Sequence, residues 1–144
     1  MKVSRSTRIG APPEEVWRVL SDPYRLPAWW PGVERVEEVS EGAWTKVLRA
    51  PKAGKAVRAD YTVAQVEPLH RLSWRHEVQE SPFERIMSEA LYEFELEAEG
   101  DGTKVALAAR VRLRGLSRLG ALQVRHATRR RLQQALDNLA EVVG

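Results

Sequence analysis

The chain has no cysteine in 144 residues. That excludes a disulfide framework and any zinc or redox site built on thiolates. Long apolar runs are missing as well: nothing approaches the ~20 consecutive residues that a membrane-spanning helix needs. The amino-terminal MKVSRSTRIG carries basic residues with no apolar stretch behind them. It does not read as a signal peptide, and the expected location is the cytoplasm. Charge of one sign is also scarce. Twenty-three basic residues against 20 acidic ones leave a net +3, too small an excess to argue for DNA. No Gly-rich phosphate loop is present, because EGDGT follows an acidic strand and reads as a hairpin turn. There is no HExxH, and no pair of histidines has metal-binding spacing, so neither a metal nor a cofactor is expected.

What the chain does have is the length and apolar content of one ordinary domain, residues 1–144, with enough core to enclose a cavity. Lys2 to Ile9 alternates like a strand. GAPPEEVWRVL follows, with prolines suited to a helix start and Glu14 and Glu15 at the positive end of its dipole. Ser-Asp-Pro ends that helix, and Leu26 to Trp30 is at most one or two turns. From Val33 to Leu113 the period changes to two. Strands are expected at Val33–Val39, Ala43–Arg49, Val57–Val66, Arg71–Val78, Arg85–Ala98 and Lys104–Leu113, separated by SEGA, PKAGK, EPLH, ESPF and EGDGT. The segment Leu116 to Val143 then reads as helical, and a helix of about 25 residues spans roughly 38 Å at about 1.5 Å per residue, long enough to cross a whole sheet. The expected class is α+β: an antiparallel sheet of six or seven strands covered on one face by the terminal helix, with two short helices after the first strand.

The strand faces can be tested against one another. Pairing Phe94 with Ala109 around GDG puts apolar side chains on one face and Glu93 opposite Arg110 on the other. Pairing Trp74 with Ala90, and Trp74 with Val63, continues the inner face. It then holds Tyr61, Val63, Leu72, Trp74, His76, Ser88, Tyr92, Phe94 and Leu96, with His76 opposite both Ser88 and Tyr61 and with Leu72 opposite Gln65. A solid core seldom buries so many polar groups without partners, whereas a cavity wall combines apolar area with a few orienting polar groups. On the long helix, Gly120, Ala121, Ala127 and Thr128 are small and leave space beside the sheet.

The stretch STRIGAPPEEVWRVLSDPYRLPAWWPGVERVEEV, the meander with VEPLHRLSWR, and the terminal helix together resemble the START-like, SRPBCC helix-grip superfamily. The likeness is greatest to its polyketide cyclase/dehydrase and lipid-transport group. It covers nearly the whole chain, and Ile9, Ala11, Pro12, Val16, Trp17, Leu20, Asp22, Pro23, Trp29 and Pro31 to Val33 fall on the family pattern. The resemblance implies a curved antiparallel sheet gripping the carboxy-terminal helix, with a hydrophobic cavity between them. Members bind lipids, sterols, polyketides or hormones, and some are cyclases or dehydratases, so the fold specifies a container and leaves its contents open. In such a fold the Trp29–Trp30 elbow would plug one end of the cavity.

Three readings follow. In the first, a hydrophobic small molecule sits between sheet and helix, held by Trp30, Val63, Trp74, Ser88, Tyr92, Phe94, Val124 and Thr128, and the protein is a carrier or sensor. In the second, His76 is a general acid or base and Tyr61 donates to a ligand carbonyl, as cyclase chemistry would need. His70 and His126 are expected in solvent. In the third, the basic run RHATRRRLQQ docks on RNA, a ribosome or an anionic membrane surface. That run carries no interleaved aromatics, so a solvated face is the preferred reading of it.

Overall fold

The computed structural model describes residues 1–49 and 57–143. It contains strands β1 (Lys2–Ile9), β2 (Val33–Ser40), β3 (Ala43–Leu48), β4 (Val57–Glu67), β5 (Arg71–His76), β6 (Met87–Glu99) and β7 (Gly102–Leu113), and helices α1 (Pro13–Leu20), α2 (Leu26–Trp29) and α3 (Ala121–Val143). The strands form one antiparallel sheet in the order β1-β7-β6-β5-β4-β3-β2, so the first strand closes the meander beside the last. Register shifts in β2–β3, β4–β5 and β6–β7 mark bulges, which bend a sheet and raise its twist. The sheet curves around α3, as a helix-grip fold does. No helix among the described residues is long and apolar enough to cross a membrane.

Element ends differ from expectation where local chemistry intervenes. The sixth strand begins at Met87 rather than Arg85, because Pro82–Arg85 forms a 3-10 turn capped by Ser81, whose hydroxyl accepts from the Phe83 amide at 3.2 Å. The terminal helix begins at Ala121, after a 3-10 stretch over Gly115–Gly120. The PKAGK turn between β3 and β4 lies outside the described residues.

Two pairings differ by two residues from those expected. Phe94 lies opposite Leu107, with Tyr92 opposite Ala109, and Trp74 lies opposite Tyr92, with His76 opposite Ala90. His76 is therefore not across from Ser88. The β6–β7 hairpin closes on Glu99 and Gly102, one residue earlier than a turn centred on GDG. Gly102 is needed at that position, since a Cβ there would lie 2.6 Å from the Ile9 carbonyl oxygen of β1. The neighbouring Thr103 hydroxyl donates to the Ala11 carbonyl at 2.8 Å and fixes the same corner. The Tyr61–His76 and Val63–Trp74 pairs are as expected, but the bulge after Val63 moves Leu72 to Val66 instead of Gln65. The two-residue shifts preserve the inward face, because strand side chains alternate with period two, whereas the one-residue bulge takes Gln65 off that face and sets it opposite Ser73.

The core is asymmetric along α3. Leu132, Ala135, Leu136 and Leu139 are fully buried at spacings of three and four, and this half of the helix packs tightly. None of the residues from Ala121 to Arg131 is fully buried. Trp29 and Trp30, 1% and 5% exposed, wedge between the sheet and the packed half. Trp29 meets Trp30, Trp74 and Phe94 with ring centroids 5.7, 6.0 and 6.0 Å apart. The Asn138 side-chain amide donates to the Trp29 carbonyl at 3.0 Å, tying α2 to α3. At about 25 cal/mol per Å², an indole burying about 200 Å² contributes up to roughly 5 kcal/mol. The outer face of the sheet carries exposed pairs such as Arg110 with Glu93 and Arg58 with Glu37, whose attraction water largely screens.

Candidate functional site

Where the first half of α3 stands off the sheet, a hollow of about 210 Å³ remains. Leu48, Tyr61, His76, Ala90, Tyr92 and Val111 form its sheet wall, Phe83 and Met87 its side, and Val124, Ala127, Thr128 and Arg131 its helix wall. A second hollow of about 230 Å³ lies towards α1 and the β2–β3 turn, bounded by Leu20, Pro23, Gly42, Trp44, Val63, Leu72 and Trp74 among others. The aromatic core fills the space between them.

The expected site residues are divided by this arrangement. Tyr61, His76, Tyr92, Val124 and Thr128 come together on the first hollow. Val63 and Trp74 border the second. Trp30 and Phe94 belong to the aromatic core between the two, 6.4 Å apart at their centroids. Ser88 sits half-buried at the β6 bulge and borders neither. His70 and His126 are exposed.

His76 and Tyr61 do not form a hydrogen-bonded acid–base pair. Their rings stack, with centroids 4.8 Å apart and planes 15° from parallel. Phe83 closes on the imidazole edge at 4.7 Å. His76 Nε2 is buried without a hydrogen-bond partner among the described residues. Burial, reinforced by the positive charge of Lys46 and opposed by Asp60 and Glu77, pushes its pKa down to about 4. At neutral pH the imidazole is uncharged and a weak base. Burial raises the pKa of the Tyr61 phenol well above 10, and that of Tyr92 also rises, so both present O–H groups. Among the described residues no carboxylate lines the hollow, and no cluster of three His, Asp or Glu side chains could hold a metal ion.

Sequence reasoning missed the most unusual residue here. Lys46, on β3, is 0% exposed. Its Nζ has no hydrogen-bond partner among the described residues and lies 4.0 Å from the Tyr61 ring centroid, 4.2 Å from Trp30, 4.8 Å from Trp74 and 5.8 Å from Tyr92. Burial, aided by the charge of Arg131, holds its pKa well below 10.5. The signal was available: Trp44 pairs with Tyr61, so an inward Tyr61 requires Trp44, and two residues on Lys46, to face inward as well. Arg131 was similarly legible, three residues after Thr128 and seven after Val124 on one helix side.

A comparison of the sequence with curated proteins returns no match. Solved structures agree with the fold from end to end. The protein TTHA0849 from Thermus thermophilus superposes with a TM-score of 0.79 at 24% identity, over 99% of this chain and 97% of that one. The Zhui aromatase/cyclase from Streptomyces sp. R1128 gives 0.76 at 18% identity, over 99% and 93%. The di-domain aromatase/cyclase BexL of the BE-7585A biosynthetic pathway gives 0.77 at 19% identity, over 98% of this chain and 45% of that one. At these identities the likeness establishes the fold alone. The family model described as polyketide cyclase/dehydrase and lipid transport matches residues 1–144. With the curved sheet, the gripped helix and the hollow between them, this chain belongs to the polyketide cyclase/dehydrase and lipid-transport family.

Proposed function

We propose that the protein binds one small, mostly apolar molecule in the hollow beneath the first half of α3 and carries or senses it without turning it over. One observation carries this reading: α3 packs tightly from Leu132 onward, yet its preceding turns leave about 210 Å³ against a wall of apolar side chains and a few polar ones. Packed interiors do not leave such space without losing stability, whereas binding sites do. The volume falls below the roughly 300–1,000 Å³ of drug-sized sites, so the occupant is about one or two fused rings or a short chain. The phenols of Tyr61 and Tyr92 and the Arg131 guanidinium supply hydrogen-bond donors to an oxygen on that occupant.

Binding is favoured over catalysis by the state of His76. An imidazole with a pKa near 4 is a poor proton abstractor at neutral pH, and none of the carboxylates among the described residues lines the hollow to replace it. Native mass spectrometry of protein purified without detergent tests the reading. The expected result is a population carrying one retained organic molecule. A cyclase reading would instead require turnover of a polyketide-like ketone that is lost in His76→Ala.

A further inference from the structure

A lysine with no exposure and, among the described residues, no hydrogen-bond partner needs a chemical reason for its position. Replacing it with an apolar residue of similar shape would remove an uncompensated polar group, so packing alone does not favour it. The Lys46 amine is not remote from the hollow. Tyr61 and Tyr92 belong to both places: both line the cavity, and their ring centroids lie 4.0 and 5.8 Å from Nζ. The same two rings thus stand at the cavity wall and beside the nitrogen.

We propose that Lys46 Nζ reversibly captures a ligand carrying an aldehyde or ketone, forming an imine, with Tyr61 or Tyr92 turning aside to admit the carbonyl. This rests on the container reading above and names its ligand class. The step balances without any further reagent. The nitrogen lone pair attacks the carbonyl carbon, one amine proton passes to the oxygen, and a carbinolamine forms. The C–O bond then breaks, and the oxygen leaves as water with the second amine proton. What remains is a C=N bond from Lys46 to the ligand, and hydrolysis reverses the sequence.

Three features of the surroundings serve this chemistry. Apolar enclosure and the cationic Arg131 both favour the free amine, the nucleophilic form. Four aromatic faces around Nζ stabilise positive charge when it develops on nitrogen during dehydration or in a protonated imine. The phenols of Tyr61 and Tyr92, raised above the usual range, stay protonated and can hydrogen-bond the carbonyl oxygen under attack. The groups around the amine are thus two phenols from β4 and β6, two indoles, the His76 imidazole from β5, which is close enough to feel the lysine's charge, and the Arg131 charge from α3.

The test is reductive trapping. Wild-type protein is incubated with 2-naphthaldehyde and sodium cyanoborohydride, and the alkylated lysine is located by peptide mapping. Lys46 should be labelled at least about tenfold faster than the exposed Lys2 or Lys104, because desolvation favours its nucleophilic free amine. The label at that position should disappear in Lys46→Met, whose melting curve verifies that it is folded. Calorimetry of the wild type with 2-naphthol, which has no carbonyl, runs alongside. If 2-naphthol binds but Lys46 is labelled no faster than the others, the imine proposal is overturned and the container survives. If 2-naphthol does not bind, the container reading falls and takes this inference with it.

Discussion

The imidazole of His76 lies nearly flat on the phenol ring of Tyr61, across the β4–β5 pair that walls the hollow. Stacking replaces the hydrogen bond that an acid–base pair would use, and the burial behind it determines how His76 titrates.

With a folded pKa near 4 and an unfolded value near 6.5, the unfolded chain binds a proton that the folded chain refuses. The stability tied to His76 is therefore intact above about pH 6.5 and declines as the pH falls towards about 4, by up to roughly 3 kcal/mol. Urea unfolding of wild type and His76→Phe at pH 7, 6, 5 and 4 should show the wild type losing ground to the variant on this descent. An NMR midpoint for His76 close to 6.5 would show that the ring is solvated after all.

Trp29 is structural in this account. Trp29→Ala removes an indole that packs on three other aromatic rings, and should cost about 3–5 kcal/mol in chemical denaturation. Tyr24→Ala nearby, at a side chain 68% exposed, should stay within about 0.5 kcal/mol. Equal effects would mean that the tryptophan elbow is not packed as described.

Lys46→Met should leave the melting temperature unchanged or higher. The substitution exchanges an unpartnered buried amine for an apolar chain of similar length, and such exchanges are commonly neutral or stabilising. A loss beyond about 2 kcal/mol would show that a charged ammonium, held by its four aromatic faces, is itself holding the core together.

Much of this architecture was legible in the sequence because period-two alternation reveals which face of each strand is inward. Tyr61, His76 and Tyr92 were assigned correctly to one face for that reason. Alternation does not specify where along a strand its partner sits. That depends on where each turn closes, and the close contact at Gly102 and the bulge after Val63 depend on tertiary neighbours. Lys46 escaped notice because a lysine inside an alternating strand reads as solvent-facing, although Trp44 and Leu48 on either side of it were inward residues. The division into two hollows was also hidden, since it arises from how far the indoles of Trp30, Trp44 and Trp74 reach across the interior.

The emptiness beneath α3 can be tested most directly by filling it. Isothermal titration of 2-naphthol is compared between wild type and Thr128→Phe, which projects a ring from the helix wall into the hollow. The wild type should bind about one equivalent with a negative heat-capacity change, and the variant should bind at least about tenfold more weakly while melting at a similar temperature. Equal affinities in the two proteins would mean that the ligand is held elsewhere.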